Sequence, residues 1–175
     1  LAVAPAAVDD ATLQALGLRP GMQCLACIDT RFVAGALMVV RSVLADMDLI
    51  IREPTANPLA GSEPADFVAV VPLQLTTLLE ESPSLLQKVS VVIIGGAPVP
   101  EAVIPQLETF KGSFYATYGM TETLTHIALR KLNGPEQQQS FHLLPGILAS
   151  ADERGCLVIS APHLGSDPVR TTELV

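Results

Sequence analysis

The chain has 175 residues, of which 49% are apolar and 16% are charged, and its formal net charge is −8. A chain of this length can bury the core of an ordinary globular domain, and it has no lysine and arginine cluster that could neutralise a row of phosphates, which speaks against nucleic acid as a partner. The apolar runs are too short to span a bilayer, and three cysteines fit a reducing, cytoplasmic compartment better than a disulfide framework.

The first predicted elements alternate between helix and strand. A short helix is predicted over 11–16, with Asp9 or Asp10 as its N-cap and Gly17 as its end. A strand is predicted in "GMQCLACI", a helix in 32–44 from its small and apolar residues at helical spacing, and a short strand in "DLIIREP".

The segment "CLAC", from Cys24 to Cys27, has the spacing of redox and zinc motifs. No second Cys/His pair follows it, and the surrounding residues are Leu, Ala and Ile. We therefore favour a buried strand over a metal or redox site.

The alternation continues through the middle of the chain. Strands are predicted in "DFVAVVP", "KVSVVIIGGAPV" and "GSFYATYG", with helices in "LQLTTLLEES" and "PEAVIPQLETF" between them. Continuous Val and Ile runs at this spacing are typical of strands buried on both faces. The predicted fold class is α/β, with a mostly parallel sheet flanked by helices.

The pattern changes near Lys131. A polar loop, "KLNGPEQQQS", is followed by a strand that Gly155 opens and Pro162 closes, and no long helix is predicted after it. We divide the chain into an α/β part over 1–130 and a loop with the start of a β-rich subdomain over 131–175.

Ligands bind outside the carboxyl ends of strands in open parallel sheets, so the turns at those ends are candidate sites. The turn "IIGGAPV" places Gly95, Gly96 and Ala97 where a flat ligand could approach the backbone closely. A tight connection would explain the same residues.

The turn "YGMTETLTHIALR" is the second candidate. Gly119 permits the turn, and Thr121 and Glu122 fall near the start of a predicted helix, where hydroxyls and N–H groups can hold a phosphate. Glu122 suits Mg²⁺ on that phosphate, and Tyr118 could lie against a base. A capped helix explains Thr121 and Glu122 but not the Tyr-Gly pair before them.

On that predicted helix, Glu122, His126 and Arg130 follow at i, i+4 and i+8 and would share one face. Such a face is either a solvated ion-pair stripe or one edge of a pocket.

Several segments in the same order resemble the acyl-adenylating superfamily of acyl-CoA synthetases, adenylation domains and luciferases. "YGMTET" resembles its signature, "VVIIGGAPVP" its adenine-binding turn, and "DERGCLVISAPHL" its "G.L.V.GP.L" strand. "RTTELV" stands where a "TGD" triplet is expected. "TRFVAGALMVVRSVL" and "TLTHIALRKLNG" are most similar to the o-succinylbenzoate–CoA ligases of menaquinone biosynthesis.

The resemblance implies activation of a carboxylic acid with ATP and Mg²⁺, followed by transfer to CoA as co-substrate. It implies catalytic roles for Thr121 on the α-phosphate and for Glu122 on Mg²⁺. It implies nucleotide binding by Gly95, Gly96, Ala97, Tyr118, Gly119 and Glu173. Glu173 departs from the usual Asp, so a longer carboxylate would have to accept from the ribose hydroxyls.

A pocket that selects o-succinylbenzoate should provide a cation or donors for its second, non-reacting carboxylate. The candidates are Arg31, Thr125 and His126. A loop arginine, a helix threonine and a surface histidine are equally good interpretations of each residue alone.

Two parts of the superfamily pattern are not found in the sequence: the Gly-rich phosphate loop and the domain with the catalytic lysine. With a start at Leu1, the chain is expected to be an internal fragment, inactive alone and able to self-associate through uncovered apolar surface. Three alternatives remain: the same chemistry on a fatty, aryl or amino acid, a non-catalytic nucleotide-binding module, and an unrelated α/β domain.

Overall fold

Five parallel strands form the centre of the fold. A computed structural model describes residues 4–61 and 65–174 of the chain. The parallel strands are β1 (Gln23–Ala26), β2 (Asp48–Ile51), β3 (Phe67–Val70), β4 (Val91–Ile94) and β5 (Ser113–Gly119). Two antiparallel strands, β6 (His126–Lys131) and β7 (His142–Leu143), extend this sheet, and the spatial order is β2-β1-β3-β4-β5-β6-β7. The predicted α/β class and mostly parallel sheet are confirmed.

Helices cover both faces of the sheet. They are α1 (Ala4–Leu16), α2 (Val33–Leu44), α3 (Pro72–Glu81), α4 (Pro83–Leu86) and α5 (Ile104–Leu107). Pro72 suits the first turn of α3 because its missing N–H would have no helical partner there, and the side-chain carbonyl of Gln74 accepts from the backbone N–H of Val71 at 3.1 Å. Helix α3 therefore begins where the strand before it ends.

Side chains of the central strands alternate between two buried clusters, one on each face. The cluster shared with α1 and α2 contains Cys24, Ala26, Phe67, Ala69, Val91 and Ile93. The cluster shared with α3, α4 and α5 contains Leu25, Cys27, Val68, Val70, Val92 and Ile94. Because both faces are buried, every position of these strands can be apolar, which accounts for the continuous Val and Ile runs.

The helix predicted after the signature segment is wrong. A 3₁₀ turn over Thr121–Thr123 leads directly into β6, which pairs antiparallel with β5. Glu122, His126 and Arg130 therefore do not share a helical face. The tertiary environment favours a strand here, since His126–Leu129 are all buried and β6 pairs with both β5 and β7.

Helix α1 is longer than predicted. Asp9 and Asp10 lie inside it rather than at its N-cap, because the Ala-rich segment before them is also helical. Gly17 ends the helix as expected, with a φ of +65°.

The last part of the described chain forms a second sheet. It contains β8 (Leu148–Ala151), β9 (Cys156–Ser160) and β10 (Val169–Leu174), all antiparallel, in the order β10-β9-β8. Leu157 and Ile159 of β9 join the buried cluster of α1 and α2, so this sheet packs on the α/β layer. Of the helices in the described part of the chain, none has the length and apolar character needed to cross a membrane.

Candidate functional site

A cavity of about 310 Å³ lies at the carboxyl edge of the parallel strands. Ile28 follows β1, Val71 follows β3, Gly95 follows β4 and Gly119 ends β5, and all four line it. The spatial order of the strands reverses between β1 and β3, where ligands bind in open α/β sheets. The cavity therefore lies where the fold leaves room for a ligand.

Two glycines let backbone segments approach closely beside this cavity. A Cβ atom on Gly95 would lie 2.5 Å from Thr117 Oγ1, and one on Gly119 would lie 2.5 Å from the Thr125 carbonyl oxygen. Either contact is far shorter than van der Waals separation. Gly119 therefore cannot carry a side chain unless the backbone moves, whereas a side chain at Gly95 would require Thr117 to rotate.

The signature segment is held by the buried hydroxyl of Thr123. This hydroxyl accepts from the Met120 N–H at 3.0 Å and lies 2.8 Å from the Thr125 carbonyl, to which it can donate. Leu124 takes a left-handed conformation with φ +62°, which turns the chain into β6. Thr121 lines the cavity, whereas the exposed side chain of Glu122 does not.

A buried polar cluster borders the cavity; it consists of Thr12, Arg41, Thr125 and His126, and all but Thr12 line the cavity. One guanidinium nitrogen of Arg41 lies 3.2 Å from Thr125 Oγ1 and 3.5 Å from His126 Nδ1, and His126 Nε2 lies 3.1 Å from Thr12 Oγ1. Arg41 is only 2% exposed. Burial, together with the positive charge of Arg41, lowers the pKa of His126 to about 3, so its imidazole is neutral at physiological pH.

Among the described residues, the arginine on the cavity wall is Arg41, which is not one of the candidates suggested by the sequence. Arg31, which is one of those candidates, has a side chain that is 86% exposed and bonds to Asp29 at 2.6 Å instead of lining the cavity. One signal pointed to Arg41: it is the only charged residue in the otherwise apolar helix "VAGALMVVRSVL". Thr125 and His126, the other two candidates, do line the cavity.

Tyr118 and Glu173 meet beside the cavity without lining it. The phenol of Tyr118 donates to the carboxylate of Glu173 across 55 residues of sequence, and this contact joins β5 to β10. Burial and this carboxylate raise the pKa of Tyr118 to about 12. The Tyr118 ring also lies 5.7 Å from the ring of Phe141, measured between centroids.

Of the six residues predicted to bind nucleotide, Gly95, Gly96 and Gly119 line the cavity, whereas Ala97, Tyr118 and Glu173 do not. Ala97 is exposed on the turn after β4.

Among the described residues, no group of three or more His, Cys, Asp or Glu side chains could hold a metal ion by itself. Mg²⁺ in nucleotide sites is commonly held by one or two carboxylates, with phosphate oxygens and water as its other ligands. The single exposed carboxylate of Glu122 beside Thr121 fits such a site.

Comparison with known proteins agrees with this architecture. Residues 5–147 match the family of AMP-binding enzymes. No curated protein matches the chain.

Solved structures match over nearly the whole chain. An acyl-CoA synthetase (AMP-forming)/AMP-acid ligase II-like protein from Dyadobacter fermentans is 43% identical, with a TM-score of 0.90 over 98% of this chain and 50% of that protein. O-succinylbenzoate coenzyme A synthetase (MenE) from Bacillus subtilis, in complex with ATP and magnesium ion, is 17% identical, with a TM-score of 0.79 over 95% of this chain and 38% of that one.

Escherichia coli MenE, with a bound phenylether-linked analogue of OSB-AMS, is 20% identical, with a TM-score of 0.75 over 98% of this chain and 38% of that protein. At these identities the two MenE structures show a shared fold. This chain spans half the length of the Dyadobacter protein and less of the others. By its match over residues 5–147, the chain belongs to the AMP-binding enzymes of the acyl-adenylating superfamily.

Proposed function

We propose that this chain is the acid-binding and nucleotide-binding part of an AMP-forming acid–CoA ligase that acts on o-succinylbenzoate. Such an enzyme joins the carboxylate to the α-phosphorus of ATP, releases pyrophosphate, and then transfers the acyl group to the thiol of CoA as AMP leaves. The observation that carries the proposal is one apolar cavity bordered by both Thr121 of the signature turn and the buried cation Arg41.

The part of the cavity wall that contains Arg41 suits a second carboxylate. Ile28, Leu37 and Leu124 provide apolar walls for a benzene ring, and Arg41 provides a charge-assisted donor among them. A guanidinium with low solvent exposure binds a carboxylate more strongly than a surface arginine does, because water competes less. This part of the cavity would hold the non-reacting carboxylate of o-succinylbenzoate.

The part of the cavity wall formed by the signature turn suits the reaction. The hydroxyl of Thr121 would donate to the α-phosphate, and Gly95 and Gly96 would let the nucleotide approach the backbone. Glu122 would hold Mg²⁺, which when bound neutralises phosphate charge. Holding the reacting carboxylate in line with the α-phosphorus is the main contribution of this wall.

Tyr118 and Glu173 would complete the nucleotide site. Glu173 already accepts from the Tyr118 phenol, so one of its carboxylate oxygens is engaged before any ribose arrives. The ribose hydroxyls would then bind the other oxygen, or displace the phenol. Either arrangement lets a Glu serve where the superfamily usually has Asp.

The test is acid-dependent ATP–pyrophosphate exchange, measured on the full-length enzyme that contains this chain. The acids are o-succinylbenzoate, β-benzoylpropionate, benzoate, a medium-chain fatty acid and several amino acids. β-Benzoylpropionate is the matched control, because it keeps the ring, the ketone and the reacting carboxylate and lacks only the ring carboxylate. We expect its KM to exceed that of o-succinylbenzoate by about tenfold or more, the effect of one charged hydrogen bond.

Exchange that is equally efficient with both acids would overturn the assignment of the second carboxylate. Efficient exchange with only a fatty or amino acid would keep the adenylation and overturn the substrate. No exchange with any acid would favour a non-catalytic nucleotide-binding module.

A further inference from the structure

Helix α1 supplies a side chain to the polar cluster although its described residues do not line the cavity. Thr12 is fully buried, and its hydroxyl lies 3.1 Å from His126 Nε2. His126 lies in turn beside Arg41 and lines the cavity. A residue far from the signature turn in sequence is thus connected to the cavity wall through one imidazole.

The chemistry of the partners fixes the direction of these contacts. A guanidinium has only donors, so Nδ1 of His126, at 3.5 Å from Arg41, can bond to it only as an acceptor. A neutral imidazole with a bare Nδ1 carries its proton on Nε2, which then donates to Thr12 Oγ1. The guanidinium of Arg41 therefore selects this tautomer, and Thr12 provides the acceptor that the Nε2 proton needs.

The opposite tautomer would disturb the cation. It would place an N–H on Nδ1 against the guanidinium of Arg41, so two donors would face each other in a buried site. Arg41 would then move away from its position between His126 and Thr125.

We propose that Thr12, acting through the imidazole of His126, positions the guanidinium of Arg41 on the wall of the cavity. Thr12 is a positioning residue: it orients the group that recognises the second carboxylate without touching the acid. The inference rests on the proposed function for its choice of ligand, while the tautomer it requires is a property of the protein alone.

The first test needs no activity. In the full-length enzyme labelled with ¹⁵N-histidine, the His126 resonances, assigned by their loss in His126→Gln, should show a protonated Nε2 and a bare Nδ1 at neutral pH. Thr12→Val has nearly the same shape as the native residue and removes the acceptor, so the Nε2–H resonance should lose its hydrogen-bonded shift and the Nε2 proton should exchange faster with water. An unchanged Nε2–H resonance in this variant would contradict the proposal. A wild-type imidazole with its proton on Nδ1 would overturn the proposal.

The second test separates positioning from general damage. Thr12→Val should raise the KM for o-succinylbenzoate by about tenfold, the effect of one hydrogen bond, and leave the KM for β-benzoylpropionate within about twofold. Thr12→Ser, which keeps the hydroxyl, should restore the wild-type value. An equal change for both acids, or a change for neither, would contradict the proposal.

A matched pair at His126 gives an independent check. Asn places its side-chain oxygen where Nδ1 was and can still accept from Arg41, whereas Gln reaches towards Thr12 instead. His126→Asn should therefore retain more discrimination between the two acids than His126→Gln, and the reverse order would contradict the proposal. If the enzyme activates no acid, the proposed function fails, and the histidine resonances of the wild type and of Thr12→Val alone decide the role of Thr12.

Discussion

At the residue scale, the side chain of Glu122 is exposed, whereas those of Thr123 and Thr125 are buried, and the hydroxyl of Thr123 holds the turn. Glu122→Gln should therefore leave the fold intact while weakening the Mg²⁺ site. We expect adenylation in the full-length enzyme to fall by about a hundredfold or more, the usual effect of losing one transition-state contact. Pyrophosphate exchange measures this loss, and the thermal midpoint should stay unchanged.

The matched control is Glu153→Gln, which removes an exposed carboxylate from the turn between β8 and β9. It should change neither exchange nor stability. Equal activities for the two variants would remove Glu122 from the proposed metal site.

His126 makes the stability of the fold depend on pH. In the folded protein its pKa is about 3, below the ordinary value of 6.5 for histidine. As the pH falls, this histidine is therefore protonated in the unfolded chain before it is protonated in the folded one. Stability should therefore fall as pH drops below about 6.5, by up to ~1.4 kcal/mol per pH unit from this one group. Urea unfolding between neutral pH and about pH 4.5 measures the slope.

His126→Gln should flatten this pH dependence, since the variant has no group there to protonate. His142→Gln is the control, because His142 is exposed on β7. A slope that persists in His126→Gln would show that other groups account for it.

The sequence suggests Arg31 as the cation of the pocket, whereas the structure places Arg41 and not Arg31 on the cavity wall. Arg31 is a candidate cation in the sequence, but in the structure its exposed side chain pairs with that of Asp29. Arg41 is buried because its helix packs between the sheet and α1. Which of two arginines reaches a cavity depends on helix packing, which local spacing does not fix.

At the element scale, the conformation of the signature segment depends on the tight turn from β5 to β6. Gly119→Ala would place a Cβ 2.5 Å from the Thr125 carbonyl, a backbone atom that can move only if β6 moves. We expect a loss of about 1–3 kcal/mol in unfolding free energy, together with loss of exchange activity.

Gly95→Ala is the matched comparison. Its Cβ would meet the side-chain hydroxyl of Thr117, also at 2.5 Å, and a side chain can rotate away. Chemical denaturation should show a smaller loss of stability than for Gly119→Ala, while exchange still falls because the cavity narrows. Equal destabilisation by both variants would contradict this account of the turn.

The same turn explains the error in secondary structure. "TLTHIALR" has polar residues at helical spacing, yet Thr, Thr and Ile also alternate as in a strand. Leu124 at φ +62° breaks any helix there, and the unpaired edge of β5 is available to an antiparallel partner. The segment thus has both a helical and a strand pattern, and it forms a strand because β5 offers an edge with which it can pair.

At the scale of the whole molecule, the parallel sheet was predictable because its signal is repeated in each strand. The runs 67–70 and 91–94 are buried on both faces, so their composition alone indicates a covered parallel sheet. The contact between Tyr118 and Glu173 was not predictable in the same way. This hydrogen bond joins two sheets across 55 residues, and the local sequence of neither strand indicates that the two side chains will be in contact.

The two buried clusters also predict the behaviour of the cysteines. Cys24 and Cys27 are 0% exposed and lie in opposite clusters, and burial raises the pKa of each thiol to about 12. Both thiols are therefore protonated and shielded in the folded protein, so a thiol reagent should reach them only when the sheet opens. Labelling followed by peptide mass spectrometry should find both unmodified in the native enzyme and modified in urea.

A metal chelator should leave the thermal midpoint unchanged, because "CLAC" is part of a core strand rather than a zinc site. The labelling rate also distinguishes local from global opening. If both cysteines react together, and their rate rises with urea as steeply as unfolding does, the strand is protected by the whole sheet. Rapid labelling of Cys24 or Cys27 in the native enzyme would instead show an accessible, reactive thiol. Zinc released as they react would show a metal site. Either result would contradict the burial of this segment in the core.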